Sequence, residues 1–181
     1  MKKMMLAVAT AVTLLAVGGV SLGTPVTAQA KTKTTLKAVP QRYRHTWYHY
    51  EHGKMDTLTF SAKRISGLTY YDGQAAKYVA HIHHHKLSAK KFKKHYSWSM
   101  VTNKTAHQAQ WINVRGWNQI MGDGDYYKVM TKTYHGKKIS VLSQAGGAGI
   151  WTSAHYYRTK QLAKQRGPRY FSNEVYYPMN V

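Results

Sequence analysis

The sequence predicts a mainly β fold: a small antiparallel barrel or sandwich of about eight to nine short strands with one or two short helices. Three observations carry that prediction. Beyond Tyr43 the apolar residues come in short runs rich in Tyr, Trp, Val, Ile and Thr, the types that suit a pleated, half-buried surface. Gly and polar turn residues separate the runs. Two segments read as hairpins, because Tyr134-His135-Gly136-Lys137 and Glu51-His52-Gly53-Lys54 each place a Gly-bearing turn between alternating runs.

Taken in order, Lys2 and Lys3 precede an apolar run from about Met4 to Val20, and Ala28-Gln29-Ala30 supplies a small-residue cleavage site. Residues 1–30 therefore read as a secretory signal peptide, and the expected location is outside the cell. Residues 31–40 are rich in Thr and Lys without apolar periodicity, which predicts a flexible basic arm ending at Pro40. Residues 41–181 are expected to form one β-rich domain. Its predicted strands are 46–50, 57–62, 67–71, 78–84, 96–101, 110–114, 126–133, 138–143 and 149–151. Ser88 can cap a helix over 89–95, with Leu87 and Phe92 as a hydrophobic staple. Thr159 can cap a second over 160–166, where Lys164 and Arg166 suit the negative end of the helix dipole and Gly167-Pro168 stops it. The doublets Tyr70-Tyr71, Tyr126-Tyr127, Tyr156-Tyr157 and Tyr176-Tyr177 have no fixed period, which argues against a repeat architecture. On a strand, one Tyr of each pair should pack while the other faces water.

Charge narrows the partners. The chain carries 27 Lys and Arg against 6 Asp and Glu, a formal net charge of +21, and all eleven histidines lie beyond the signal peptide. No carboxylate occurs in 73–122 or 126–173. A field of this sign attracts polyanions, so the expected partner is an anionic cell-wall polymer or an anionic membrane surface. Export argues against nucleic acid. No segment after the signal is apolar enough to span a bilayer, and without cysteine neither a disulfide nor a lipidated Cys can form. The densest cationic run supplies the candidate polyanion-binding residues Lys86, Lys90, Lys91, Lys93 and Lys94; the same run also reads as a solvated helix face. Before it, His81, His83, His84 and His85 form a candidate pH-responsive patch, gaining charge below about pH 6.5. His81, His83 and His85 would share one strand face and are the only metal candidates, but the nearest acid in sequence is Asp72 and second-shell acceptors are lacking. No metal or other cofactor is expected.

No catalytic residue is assigned. There is no Gly-x-Ser-x-Gly elbow, His-Glu-x-x-His helix, P-loop or Cys nucleophile, and six carboxylates leave few glycosidase pairs. Gly122-Asp123-Gly124-Asp125 lacks the further ligands of a calcium loop and reads as a turn, while Gly146-Gly147-Ala148-Gly149 reads as a bend between strands. An enzyme is therefore not expected.

From Pro40 through Arg42-Tyr43-Arg44-His45 to Thr46-Trp47-Tyr48, the chain resembles the opening of small secreted proteins of lactic acid bacteria whose function is unknown. The segments 122–129 and 155–163 are similar to later parts of the same group. That resemblance spans the domain and implies no activity. Thr46-Trp47 is also similar to the first strand of lipocalin-type barrels, with His45 where their Gly stands; this implies a closed barrel with a ligand-sized mouth and, as an alternative function, a carrier of a small apolar ligand. A cationic antimicrobial or hydrolytic protein is the third reading.

Overall fold

The computed structural model describes residues 34–86 and 95–178. Nine strands follow one another around a single closed barrel: β1 (Thr46–Glu51), β2 (Lys54–Phe60), β3 (Arg64–Tyr71), β4 (Gln74–Ile82), β5 (Trp98–Ala106), β6 (Ala109–Gly116), β7 (Asp125–Tyr134), β8 (Lys137–Gly146) and β9 (Trp151–Tyr157). The helix α1 (Lys160–Arg166) packs outside against β1 and β9. Thr159 Oγ1 accepts the Leu162 N–H at 3.1 Å, and Gly167 closes the other end at φ +55, as its sequence predicts. The predicted helix over 89–95 lies almost wholly outside the described residues.

Four hairpins turn on His52-Gly53, Asp72-Gly73, His107-Gln108 and His135-Gly136, each with positive φ at both central residues. This backbone matches the twist of the flanking strands. The third turn has no glycine, which is why β5 and β6 run longer than their sequence suggests. The ninth strand, expected over 149–151, begins only at Trp151 and continues to Tyr157, because the glycine-rich bend delivers the chain to β8 and the ladder then runs on to Val141↔Tyr157.

Side chains alternate between the two faces of the wall. Trp47, Leu58, Phe60, Ile65, Val101, Ile112, Tyr127 and Leu142 fill one end of the interior, with Val39 and Tyr43 beneath them. Trp111, on the outer face, is covered by Ile150 and Tyr126, and Tyr157 is covered by Ala163 of α1. Both members of the doublets Tyr126-Tyr127 and Tyr156-Tyr157 are consequently buried, a correction to the expected division into one packed and one exposed ring. The wall has a cover on both sides there. Only on the β3–β4 hairpin does the second Tyr of a pair, Tyr71, reach water at 78 % exposure on a strand.

The flexible arm is also corrected. Val39 is fully buried, the Thr35 N–H donates to the His85 carbonyl at 3.0 Å, and the Leu36 N–H donates to the Val101 carbonyl at 2.7 Å. Thr35 Oγ1 accepts the His85 N–H at 2.9 Å. The arm is needed at this place because β4 and β5 are parallel and meet over only His81↔Trp98 and Ile82↔Ser99, whereas the other neighbouring pairs are antiparallel. Residues 34–36 occupy this seam and satisfy backbone groups that the short ladder leaves open. Leu36 and Val39 are the apolar signal that the Lys and Thr around them obscure.

Candidate functional site

The seam gathers most of the histidine cluster. β4 ends at Ile82, and His83, His84 and His85 follow it, with the His81 and His83 N–H groups donating across the seam to the Ser97 and Ser99 carbonyls. His83 stacks on Trp98 with ring centroids 3.4 Å apart, and His95 stacks on the same indole at 3.7 Å. Two rings that close to one indole must occupy opposite faces, so Trp98 is held between imidazoles. Trp117 meets Trp98 edge-on at 5.3 Å and His85 at 4.7 Å. The His95 N–H donates to Asn118 Oδ1 at 2.7 Å and the Trp117 N–H to the Trp98 carbonyl at 2.8 Å, which ties the β6–β7 loop to this sandwich.

The remaining nitrogens are directed elsewhere. His84 Nδ1 donates to the Thr35 carbonyl at 2.6 Å; His85 Nδ1 donates to the Lys86 carbonyl at 2.7 Å and its Nε2 lies 3.0 Å from Met100 Sδ. His81 is exposed beside Arg64 in the β3–β4 ladder. The metal candidates His81, His83 and His85 therefore do not converge, and among the described residues no group of three or more His, Cys, Asp or Glu is placed to hold an ion. Burial, followed by the nearby His81, His95 and Lys63, pushes the pKa of His83 below the ordinary imidazole value.

Cations surround the sandwich. Lys37, Lys63, Arg64 and Lys86 are exposed, and Lys63 Nζ donates to the Lys37 carbonyl. Of the predicted polyanion-binding residues, Lys86 pairs with Thr34 at the seam, while Lys90, Lys91, Lys93 and Lys94 lie outside the described residues. Lys37, Lys63, Arg64, His95, Trp98 and Trp117 were not singled out from sequence. The adjacent Lys63-Arg64 between two strands was a usable signal; nothing in the spacing of Trp98 and Trp117 announces their contact.

Three carboxylates gather at the first hairpin tips. Glu51, Asp56 and Asp72 line a pocket of about 310 Å³ at the tips of the first two hairpins, with His49 and His52. Inside the same end of the barrel, Thr69 Oγ1 donates to Asp56 Oδ2 at 3.2 Å, Gln144 Nε2 to Asp125 Oδ1 at 3.3 Å, and the Tyr156 hydroxyl to Gln144 Oε1 at 3.0 Å. Burial, reinforced by Asp125 and neighbouring phenols, raises the pKa values of Tyr127 and Tyr156, so both remain neutral donors.

Outside the wall, Glu174 is sealed from solvent and receives hydrogen bonds from Ser143 Oγ at 2.6 Å and His155 Nε2 at 3.0 Å, with Lys128 Nζ at 3.0 Å. Ser, His and Glu recur in hydrolases, but there the imidazole stands between the hydroxyl and the acid. Here the acid stands between the other two. The network fixes the segment after α1 to β7, β8 and β9. No family model, curated protein or solved structure matches the chain.

Proposed function

We propose that this is a secreted cationic protein that associates electrostatically with an anionic cell-surface or wall polymer. The segregation of charge along the fold supports this reading. The described stretches that build the seam, 34–45, 61–67, 79–86 and 95–100, contain no carboxylate and carry Lys37, Lys63, Arg64 and Lys86 together with the histidines, and in sequence the run with Lys90, Lys91, Lys93 and Lys94 joins the last two. Glu51, Asp56 and Asp72 collect instead at the first hairpin tips. A face of one sign draws a polyanion and presents it in one orientation. The alternative, a carrier of a small apolar ligand, would require an apolar interior with room to spare. One end of this interior is packed with Trp47, Phe60 and Tyr127, and the other carries Asp56, Asp125, Gln144 and Thr69 in hydrogen bonds.

Purified protein lacking residues 1–30 should bind isolated bacterial cell walls at low ionic strength and elute as salt approaches several hundred millimolar, where screening shortens the Debye length to a few ångström. Gln replacements at Lys63, Arg64 and Lys86 should lower the salt needed for elution while leaving the thermal midpoint unchanged. Retention in molar salt would overturn the reading, as would unaltered elution of the triple variant.

A further inference from the structure

The geometry points to a second binding site, a saccharide cleft outside the barrel between the start of β9 and the segment that follows α1. The cleft has a volume of about 520 Å³, and Trp151, Tyr170, Tyr176 and Tyr177 line it with Glu51 and Arg169. Neither the charge reading nor the seam makes use of it.

Its walls are built rather than incidental. The Trp151 indole lies against the backbone of the glycine-rich bend, and a Cβ added at Gly149 would fall 2.4 Å from the ring. Only a residue without a side chain lets the ring lie there. Tyr177 meets Trp151 edge-on at 5.0 Å. On the facing wall, the Thr152 N–H donates to the Val175 carbonyl at 2.7 Å, the Phe171 N–H donates to the Tyr176 hydroxyl at 2.7 Å, and Tyr170 packs on Tyr176 at 4.4 Å. Beneath them, the buried Glu174 network holds the wall in place. Tyr170 and Tyr177 nevertheless keep 61 % and 44 % of their surface exposed.

This combination selects a pyranose sugar. One face of a pyranose presents C–H bonds of positive partial charge, which complement the negative face of an aromatic ring, and its rim presents hydroxyls that need both donors and acceptors. Glu51 supplies an acceptor, Arg169 a donor, and the Tyr177 hydroxyl either. A cation would meet Arg169. The volume falls within the roughly 300–1,000 Å³ range of small-ligand sites and accommodates more than one sugar ring.

The probes are N-acetylglucosamine tetramer and maltotetraose, titrated into the folded protein lacking residues 1–30 and followed by tryptophan fluorescence and calorimetry. At least one should bind saturably, with affinity unchanged in about 0.5 M salt, because stacking and neutral hydrogen bonds are not screened as ion pairs are. Tyr170→Ala and Tyr177→Ala, at exposed positions, should each weaken binding about tenfold or more without altering the unfolding midpoint. Gly149→Ala should weaken it by displacing Trp151, with a changed emission spectrum. The Gln variant at Lys63, Arg64 and Lys86 should bind the probe normally, so failure of the charge reading and failure of this inference are separable. Absence of saturable binding by both probes would overturn the site, as would binding that survives both tyrosine substitutions.

Discussion

Glu174 has no solvent-exposed side-chain surface, and its charge survives only because its partners reach it. Burial opposes ionisation, but hydrogen bonds from His155 and Ser143, together with the charge on His155, outweigh it and hold the carboxyl down at about 2. In the unfolded chain the same group titrates near 4.5. The difference stabilises the fold by about 3 kcal/mol at any pH above the unfolded value, and this contribution fades as the pH falls from there towards the folded value. Glu174→Gln should therefore lower the urea-derived stability at pH 7 by about 3 kcal/mol, leave Lys128 buried without its counter-charge, and flatten the acid limb of the stability profile. Equal stabilities of the two proteins at pH 7 would show that the network contributes nothing. The sequence gives no hint of this residue's special place among six acids, since its partners come from β7, β8 and β9. Trp47 and Trp111 were more legible, because a large aromatic in an alternating run has few places to go but a core.

Nine strands in chain order were readable because three of the four tight hairpins announce themselves with a His-Gly or Asp-Gly pair between alternating runs. The seam was not, since period-two alternation fixes which face a residue takes and not which strand lies beside it. The arm was misjudged because its two apolar positions, Leu36 and Val39, are too few for a periodic signal. If the arm closes the seam, Val39→Ala should cost about 2 kcal/mol through the cavity it leaves. Thr35→Ala should cost about 1 kcal/mol by removing the acceptor for the His85 N–H. Lys37→Ala, at an exposed side chain, should stay within about 0.5 kcal/mol. Hydrogen exchange supplies the second measurement: the His81 and His83 amides, bonded to the Ser97 and Ser99 carbonyls across the seam, should lose protection in the first two variants and keep it in the third.

At the scale of the molecule, charge segregation predicts a response to acid. Exposed imidazoles charge near pH 6.5 while phosphodiesters stay ionised, so affinity for a phosphate-bearing polymer should rise between pH 7 and pH 5. His83, its pKa lowered by burial and by the nearby His81, His95 and Lys63, should charge at a lower pH than an ordinary imidazole. Because its depressed pKa favours the neutral ring in the folded state, its stabilising effect is full above the ordinary imidazole value and is lost as pH falls through the lowered one. Tighter binding and a looser seam are thus expected over the same pH interval. Changing His81, His83, His84 and His85 to Asn and measuring polymer affinity at both pH values tests this, since an unaltered pH dependence would exclude the cluster as the sensor. The basic character of the site was legible from composition alone. Its position was not, because the cations of 37, 63, 64 and 86 become neighbours only when the ring closes.

The number nine has a consequence of its own. Directions that alternate around a closed circle return to their starting sense only when the count is even, so an odd circle must contain at least one pair pointing the same way. Here that obligation falls between β4 and β5. Two strands pointing the same way cannot be joined by a two-residue turn, and the chain must make an excursion, here over 83–97. Parity thus grants the barrel one long connection, and the chain has written its densest run of lysines into it. Removal of any single strand would abolish the need for that excursion, whereas loss of a whole hairpin would preserve it.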